Sequence, residues 1–137
     1  NLANSPIEMC ETLFPITFTE YAFIPDSGGR GQFRGGLGLA REWRLDADWG
    51  VLSGNFERFR YPPYGLNGGE PGSLGRFQIT RNGEATVLPS KISGVDLQRG
   101  DVVRLDTSGG GGWGPPGERD PAKTDHDIKG GYISSSD

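Results

Sequence analysis

Few residues in this chain could do covalent or acid–base chemistry, and their spacing argues against it. The only histidine, His126, lies in Thr124-Asp125-His126-Asp127. Carboxylates on both sides favour the protonated ring, the wrong form for a general base near neutral pH. The only cysteine, Cys10, has Glu8 and Glu11 beside it and no base nearby. That setting disfavours the thiolate. One His and one Cys cannot supply the usual zinc set of nitrogen and sulfur ligands. The run from Gly109 to Gly114 (GGGGWG) formally matches a dinucleotide loop, G-x-G-x-x-G. Such a loop must open a helix whose N-terminus holds the pyrophosphate, whereas Pro115-Pro116 follows here. The segment Gly29-Arg30-Gly31-Gln32-Phe33-Arg34-Gly35-Gly36 has the wording of an RNA-binding Arg-Gly tract but occurs once, between expected strands. No catalytic residue, cofactor ligand or metal ligand is assigned on these grounds.

One loop keeps two readings. Asp26 and Ser27 have short side chains that can bond back to the following amides and start a turn. Arg34 is the long polar group placed to brace the loop against a carboxylate or free carbonyls. In the first reading Gly28, Gly29, Gly31, Gly35, Gly36 and Gly38 hold the backbone, through positive φ or a neighbouring backbone too close for a Cβ. In the second, Asp26, Ser27 and Arg34 form a substrate or phosphate site in a cleft.

The elements that must position these residues are short. The chain has 137 residues, one ordinary domain's worth, with 24 glycines and 10 prolines. Leu, Ile, Val and Phe make up about 22%, just above the range in which disorder is the default. The core should be thin and should need help from outside the chain. Net charge is −4, unevenly spread. Residues 1–29 carry four acids and no base, while the central stretch is slightly basic and mixed in sign. That excess is too small and too interspersed for a nucleic-acid stripe. No apolar run approaches the roughly 20 residues of a membrane helix. The lone cysteine fits a reducing compartment, and a cytoplasmic location is expected.

Ser5-Pro6-Ile7-Glu8 has the wording of a helix cap and predicts a short helix over about 6–12, stopped by Pro15. Alternation predicts strands from Ile16 to Ile24, Leu39 to Asp46 and Val51 to Phe59. In the first, Ile16, Phe18 and Ile24 should face one side and Thr17, Thr19, Tyr21 and Phe23 the other. Further strands surround Phe77 and Ile79, then Thr86 to Leu88, then Asp101 to Leu105. Asn82-Gly83 supplies the paired positive φ of a type I′ hairpin turn. Asp120-Pro121 opens a second helix that Gly130-Gly131 closes. Residues 27–38, 65–75 and 108–117 should lack regular sheet, with Gly109, Gly110, Gly111 and Gly112 packing as extended, polyproline II-like chain. The expected fold is all-β: two small sheets in a sandwich or barrel-like arrangement, with glycine-rich extended segments and one or two short helices. The expected core includes Phe18, Leu39, Trp43, Leu52, Ile79, Val103 and Leu105. Residues 1–133 should form one domain, with 134–137 as a frayed tail.

Several short motifs occur in an order that resembles the C-terminal part of the hydantoinase B family. They are Asn4-Ser5-Pro6 with Glu8; Pro25-Asp26-Ser27-Gly28-Gly29 with Gly31; Arg34-Gly35-Gly36 with Gly38; Pro63, Gly65-Leu66, Gly68-Gly69 and Pro71-Gly72; Gly100-Asp101-Val102; and Gly109 to Gly114 with Pro116 and Glu118-Arg119-Asp120-Pro121. That family comprises the B-type subunits or halves of ATP-dependent N-methylhydantoinases and 5-oxoprolinases, with the related acetone and acetophenone carboxylases. The resemblance implies a β-rich domain of a larger B-type protein. It also implies an A-type partner that binds ATP and phosphorylates the substrate, in a hetero-oligomer. ATP and a divalent metal are expected elsewhere in that assembly. The implied activity is ATP-dependent hydrolysis of a cyclic amide. A ketone carboxylase and a non-catalytic binding or scaffold module are the alternatives. Taken alone, the chain is expected to be inactive.

Overall fold

The computed structural model describes residues 4–134. In chain order the elements are α1 (Ile7–Leu13), β1 (Ile16–Phe23), β2 (Leu39–Leu45), β3 (Trp49–Asn55), β4 (Arg76–Arg81), β5 (Glu84–Val87), β6 (Lys91–Gln98), β7 (Val102–Asp106), a 3-10 turn at Pro116–Glu118, and α2 (Pro121–Lys129). Five strands form one antiparallel sheet in the order β1-β2-β7-β4-β5, and β3 pairs with β6 in a second. The fold is all-β, as the alternation predicts.

The inner face of the larger sheet is set by register. Phe18 stands opposite Trp43, Trp43 opposite Val103, and Val103 opposite Ile79. One step along, Leu105 stands opposite Phe77. Leu45, Phe77, Ile79, Leu97 and Val103 form the buried core, with Leu52, Ile92 and Val95 of the β3–β6 pair packed against it. The two-stranded sheet thus lies as a lid over β7, β4 and the Leu45 end of β2 in the larger one. Of the expected core, Ile79 and Val103 are buried, and Trp43, Leu52 and Leu105 pack partly buried around them. Phe18 and Leu39 share that face but are not part of this cluster, and are half-buried. The opposite face is polar. Arg104 reaches Glu20, Glu42 and Asp106 across it.

Several local expectations need correction. Pro6, not Ser5, caps α1, and no side chain bonds to that helix start. Phe18 and Glu20 pair with the adjacent residues Trp43 and Glu42, leaving Thr19 as the extra residue of a bulge. The bulge moves Tyr21 and Phe23 onto the face of Phe18, against the strict alternation predicted. Strand β3 ends at Asn55, short of the predicted Phe59. Strand β6 has no counterpart among the expected strands. Gly94, at φ +71, forms a bulge in it and breaks the period between Ile92 and Val95. The Asn82-Gly83 turn has both residues at positive φ, 52 and 83. Asp120 caps α2 by accepting from the Ala122 N–H at 2.9 Å. Ser134 donates its N–H to Asp26, and residues 135–137 of the expected tail lie outside the described residues.

Three stretches, 27–38, 65–75 and 108–115, run beside the sheets outside any named strand, with isolated bridges from Trp113 to Phe33 and Leu66. Their hydrogen bonds run between stretches. Gly29 N–H donates to Gly110 O at 2.8 Å, Gly110 N–H to Gly36 O at 2.8 Å, and Gly112 N–H to Glu70 O at 2.9 Å. Extended chain of the polyproline II type has no internal bonds, so its buried amides must find partners across such contacts.

Candidate functional site

The main concavity, about 670 Å³, opens between the loop 26–34 and the C-terminal stretch 116–134. Arg34, Arg119 and Asp127 meet there. Arg34 donates from Nε to Asp127 Oδ2 at 2.8 Å, from Nη2 to Oδ1 at 3.3 Å, and from Nη1 to Gly35 O at 2.8 Å. Arg119 donates to the same carboxylate at 2.7 Å and to Gln32 O at 3.2 Å. Asp127 is 4% exposed. The Arg34 hydrogen bond lowers its pKa below the usual carboxylate value; burial opposes this, and the positive charges of Arg34 and Arg119 add to it. The α2 cap at Asp120 and the Pro121 start fix the helix phase that turns Asp127 inward while His126 stays exposed, its ring 6.4 Å from that of Tyr132.

Asp26 anchors the other end of the cleft. It adopts φ +59. Its N–H donates to Tyr132 O at 3.0 Å, and its carboxylate accepts from Ser134 N–H at 2.9 Å. That backbone bond lowers the carboxyl's pKa. The Ser27 hydroxyl is buried, donating to Ile24 O at 2.6 Å and accepting from Gly38 N–H at 2.8 Å. Ser27 is not among the residues that line the cleft.

The glycines hold the loop by the second of the two means expected. None of Gly28, Gly29, Gly31, Gly35, Gly36 or Gly38 lies at positive φ; in this loop that conformation belongs to Asp26. What the loop needs is room. A Cβ on Gly35 would collide with the Gly110 backbone, and one on Gly109 with Ser27 O. Gly28, Gly29, Gly31, Gly111 and Gly112 are similarly crowded by backbone within 3.0 Å, while Gly110 is only tight, at 3.2 Å. Gly36 has nothing within 4 Å and is the exception.

Asp26 and Arg34 therefore do line a cleft, but each is committed to the chain's own C-terminal stretch. Sequence reasoning misses Arg119 and Asp127 as members of this site. It meets Asp127 only as a neighbour of His126, and the contact with Arg34 spans 93 positions. The capped helix start at Asp120, which fixes the phase of α2, is the signal that could have pointed to it. Among the described residues no three His, Cys, Asp or Glu side chains are placed to hold a metal ion. No described helix is long and apolar enough to cross a membrane.

The family model for hydantoinase B/oxoprolinase matches residues 1–116. The chain belongs to this family. It is 35% identical over 136 residues to the B-type subunit of a putative D-/L-hydantoinase of Pseudomonas sp., covering 98% of this chain and 23% of that protein. An uncharacterized protein of Methanocaldococcus jannaschii is 39% identical over 131 residues, covering 96% of this chain and 23% of its own length. Among solved structures, the ATP-dependent caprolactamase of Pseudomonas jessenii superposes with a TM-score of 0.84 at 25% identity, over 93% of this chain and 23% of that one. The chain thus spans about a quarter of the length of these relatives. The family match stops at residue 116, so α2 and Asp127 lie beyond it.

Proposed function

We propose that this chain is the C-terminal structural domain of the B-type component of an ATP-dependent cyclic-amide hydrolase, of the hydantoinase or 5-oxoprolinase kind, working with an ATP-binding A-type partner. The observation that carries this reading is the commitment of Arg34, Arg119 and Asp127 to one another across the main cleft. Their charges are spent on tying the glycine-rich loop 27–38 to α2 and the segment before it, which is a scaffold's use of them. Family membership, together with a span of about a quarter of the relatives' length, supplies the larger enzyme that such a scaffold would serve. The ATP site, the divalent metal and the ring-opening residues then belong to the rest of the assembly.

The test is turnover by the parent protein with its partner. Release of ADP with a hydantoin, 5-oxoproline or a lactam, and with no bicarbonate, is the expected result. An absolute need for a ketone plus bicarbonate would replace the hydrolase with a carboxylase. Residues 1–137 alone should neither hydrolyse ATP nor open the ring. Robust turnover by that piece, lost on substituting one of its own residues, would overturn the scaffold role.

A further inference from the structure

The larger sheet is only partly covered on its inner side. The β3–β6 lid lies over β7, β4 and the Leu45 end of β2, whereas Phe18, Tyr21 and Phe23 of β1 and Arg41 of β2 extend the same face beyond it. Phe23 is 60% exposed. The Arg41 guanidinium lies over the rings of Phe18 and Tyr21, at 5.5 and 5.4 Å, and its Nε is buried with no hydrogen-bond partner among the described residues. Helix α1 flanks the same strand, since Glu11 accepts the Phe18 N–H at 2.7 Å. That helix has seven residues and none of them is buried; Met9, Leu13 and the following Phe14 are all exposed. A helix this short does not stand on its own propensity and draws its stability from packing. An aromatic shelf, an unmet donor and a helix with exposed apolar side chains together are more than scattered surface hydrophobics.

We infer that this shelf and α1 are the seat of the preceding part of the same B-type polypeptide. The inference rests on the domain reading above. Two observations select that occupant over a second copy or the A-type partner. The chain spans 23% of its relatives, so most of a B-type polypeptide remains to be packed against it. In addition, Asn4 donates from Nδ2 to the Tyr21 hydroxyl at 3.1 Å, so a polypeptide continuing ahead of Asn4 leaves from the shelf itself. A covering segment laid on Phe18, Tyr21 and Phe23 would complete the inner face that β3 and β6 cover only in part.

The test uses the parent polypeptide in complex with its partner. A benzophenone amino acid replaces Phe23 or Leu13, and Val87, exposed on β5, serves as the control. After irradiation, mass spectrometry of a mixture of isotopically light and heavy parent separates links within one polypeptide from links between two. Links from positions 23 and 13 to peptides ahead of Asn4 in the same polypeptide are expected, at least tenfold above those from position 87. Links to the A-type partner, links between light and heavy copies, or no enrichment over position 87 would each overturn the inference. Limited proteolysis gives a second readout: Leu13→Glu should speed separation of the two parts at least tenfold, and an unchanged rate would count against it. A parent without ATP-coupled ring opening would refute the proposed reaction and leave the cross-linking result to stand or fall separately.

Discussion

Asp127→Asn is the most informative single substitution. It removes the charge that receives three hydrogen bonds, two from Arg34 and one from Arg119. Both guanidiniums would then face each other without the carboxylate that bridges them. Removing one partner of a fully buried ion pair costs about 3–5 kcal/mol. The Arg34 and Arg119 side chains keep 19% and 16% of their exposure, so water can reach part of each. The discounted cost is about 3 kcal/mol, which for a domain of this size lowers Tm by about 10 °C. Asp125→Asn, two residues away and exposed, should change stability by less than about 0.5 kcal/mol. The assay is urea unfolding of wild type and both variants at pH 7 and then at steps down to pH 3. The folded-state pKa of Asp127 is lowered from 3.8, so its contribution is fully present above the unfolded value and is lost as pH falls through the folded one. The gap between wild type and Asp127→Asn should therefore be constant above about pH 5 and shrink below about pH 4. A gap under about 0.5 kcal/mol at pH 7, or one that does not shrink in acid, would refute the account of Asp127 as the clamp.

Four further outcomes follow from the same structure. Gly35→Ala should cost about 1–3 kcal/mol because its Cβ meets the Gly110 backbone, whereas Gly36→Ala, with open space around it, should be neutral within about 0.5 kcal/mol; paired denaturant curves decide this. Arg34→Lys should cost about 1–2 kcal/mol despite keeping the charge, since one ammonium cannot hold both Asp127 oxygens and Gly35 O; thermal unfolding reads it. Phe77→Ala, at a fully buried site under the lid, should cost about 3–5 kcal/mol by urea unfolding. Asp101→Asn should destabilise the β6–β7 turn, because the buried carboxylate holds Arg81 at 2.6 Å and the Gln98 N–H at 2.8 Å; amide exchange at Gln98 should speed up first.

What the sequence determined by itself was whatever depends on near neighbours. Alternation marked β1 and β2, a compact apolar run after Arg99-Gly100 marked β7, Asn82-Gly83 marked the hairpin between β4 and β5, and Asp120-Pro121 with Gly130-Gly131 bounded α2. Each of these is written in the backbone preferences of a few adjacent residues. The clustering of glycines also announced either positive φ or chains in close approach, and only the structure chose the second. Tertiary structure decided the rest. One inserted residue at Thr19 and another at Gly94 shift the phase of a strand, and a period-2 reading cannot survive such a shift. Which backbone each glycine admits is a matter of three remote stretches meeting, Gly35 on Gly110 and Gly109 on Ser27. Arg34 called for a carboxylate, but eighteen acids compete for that role along the chain. Only the docking of α2 across 93 positions selected Asp127, because ion pairing acts through distance in space and carries no trace of separation along the chain.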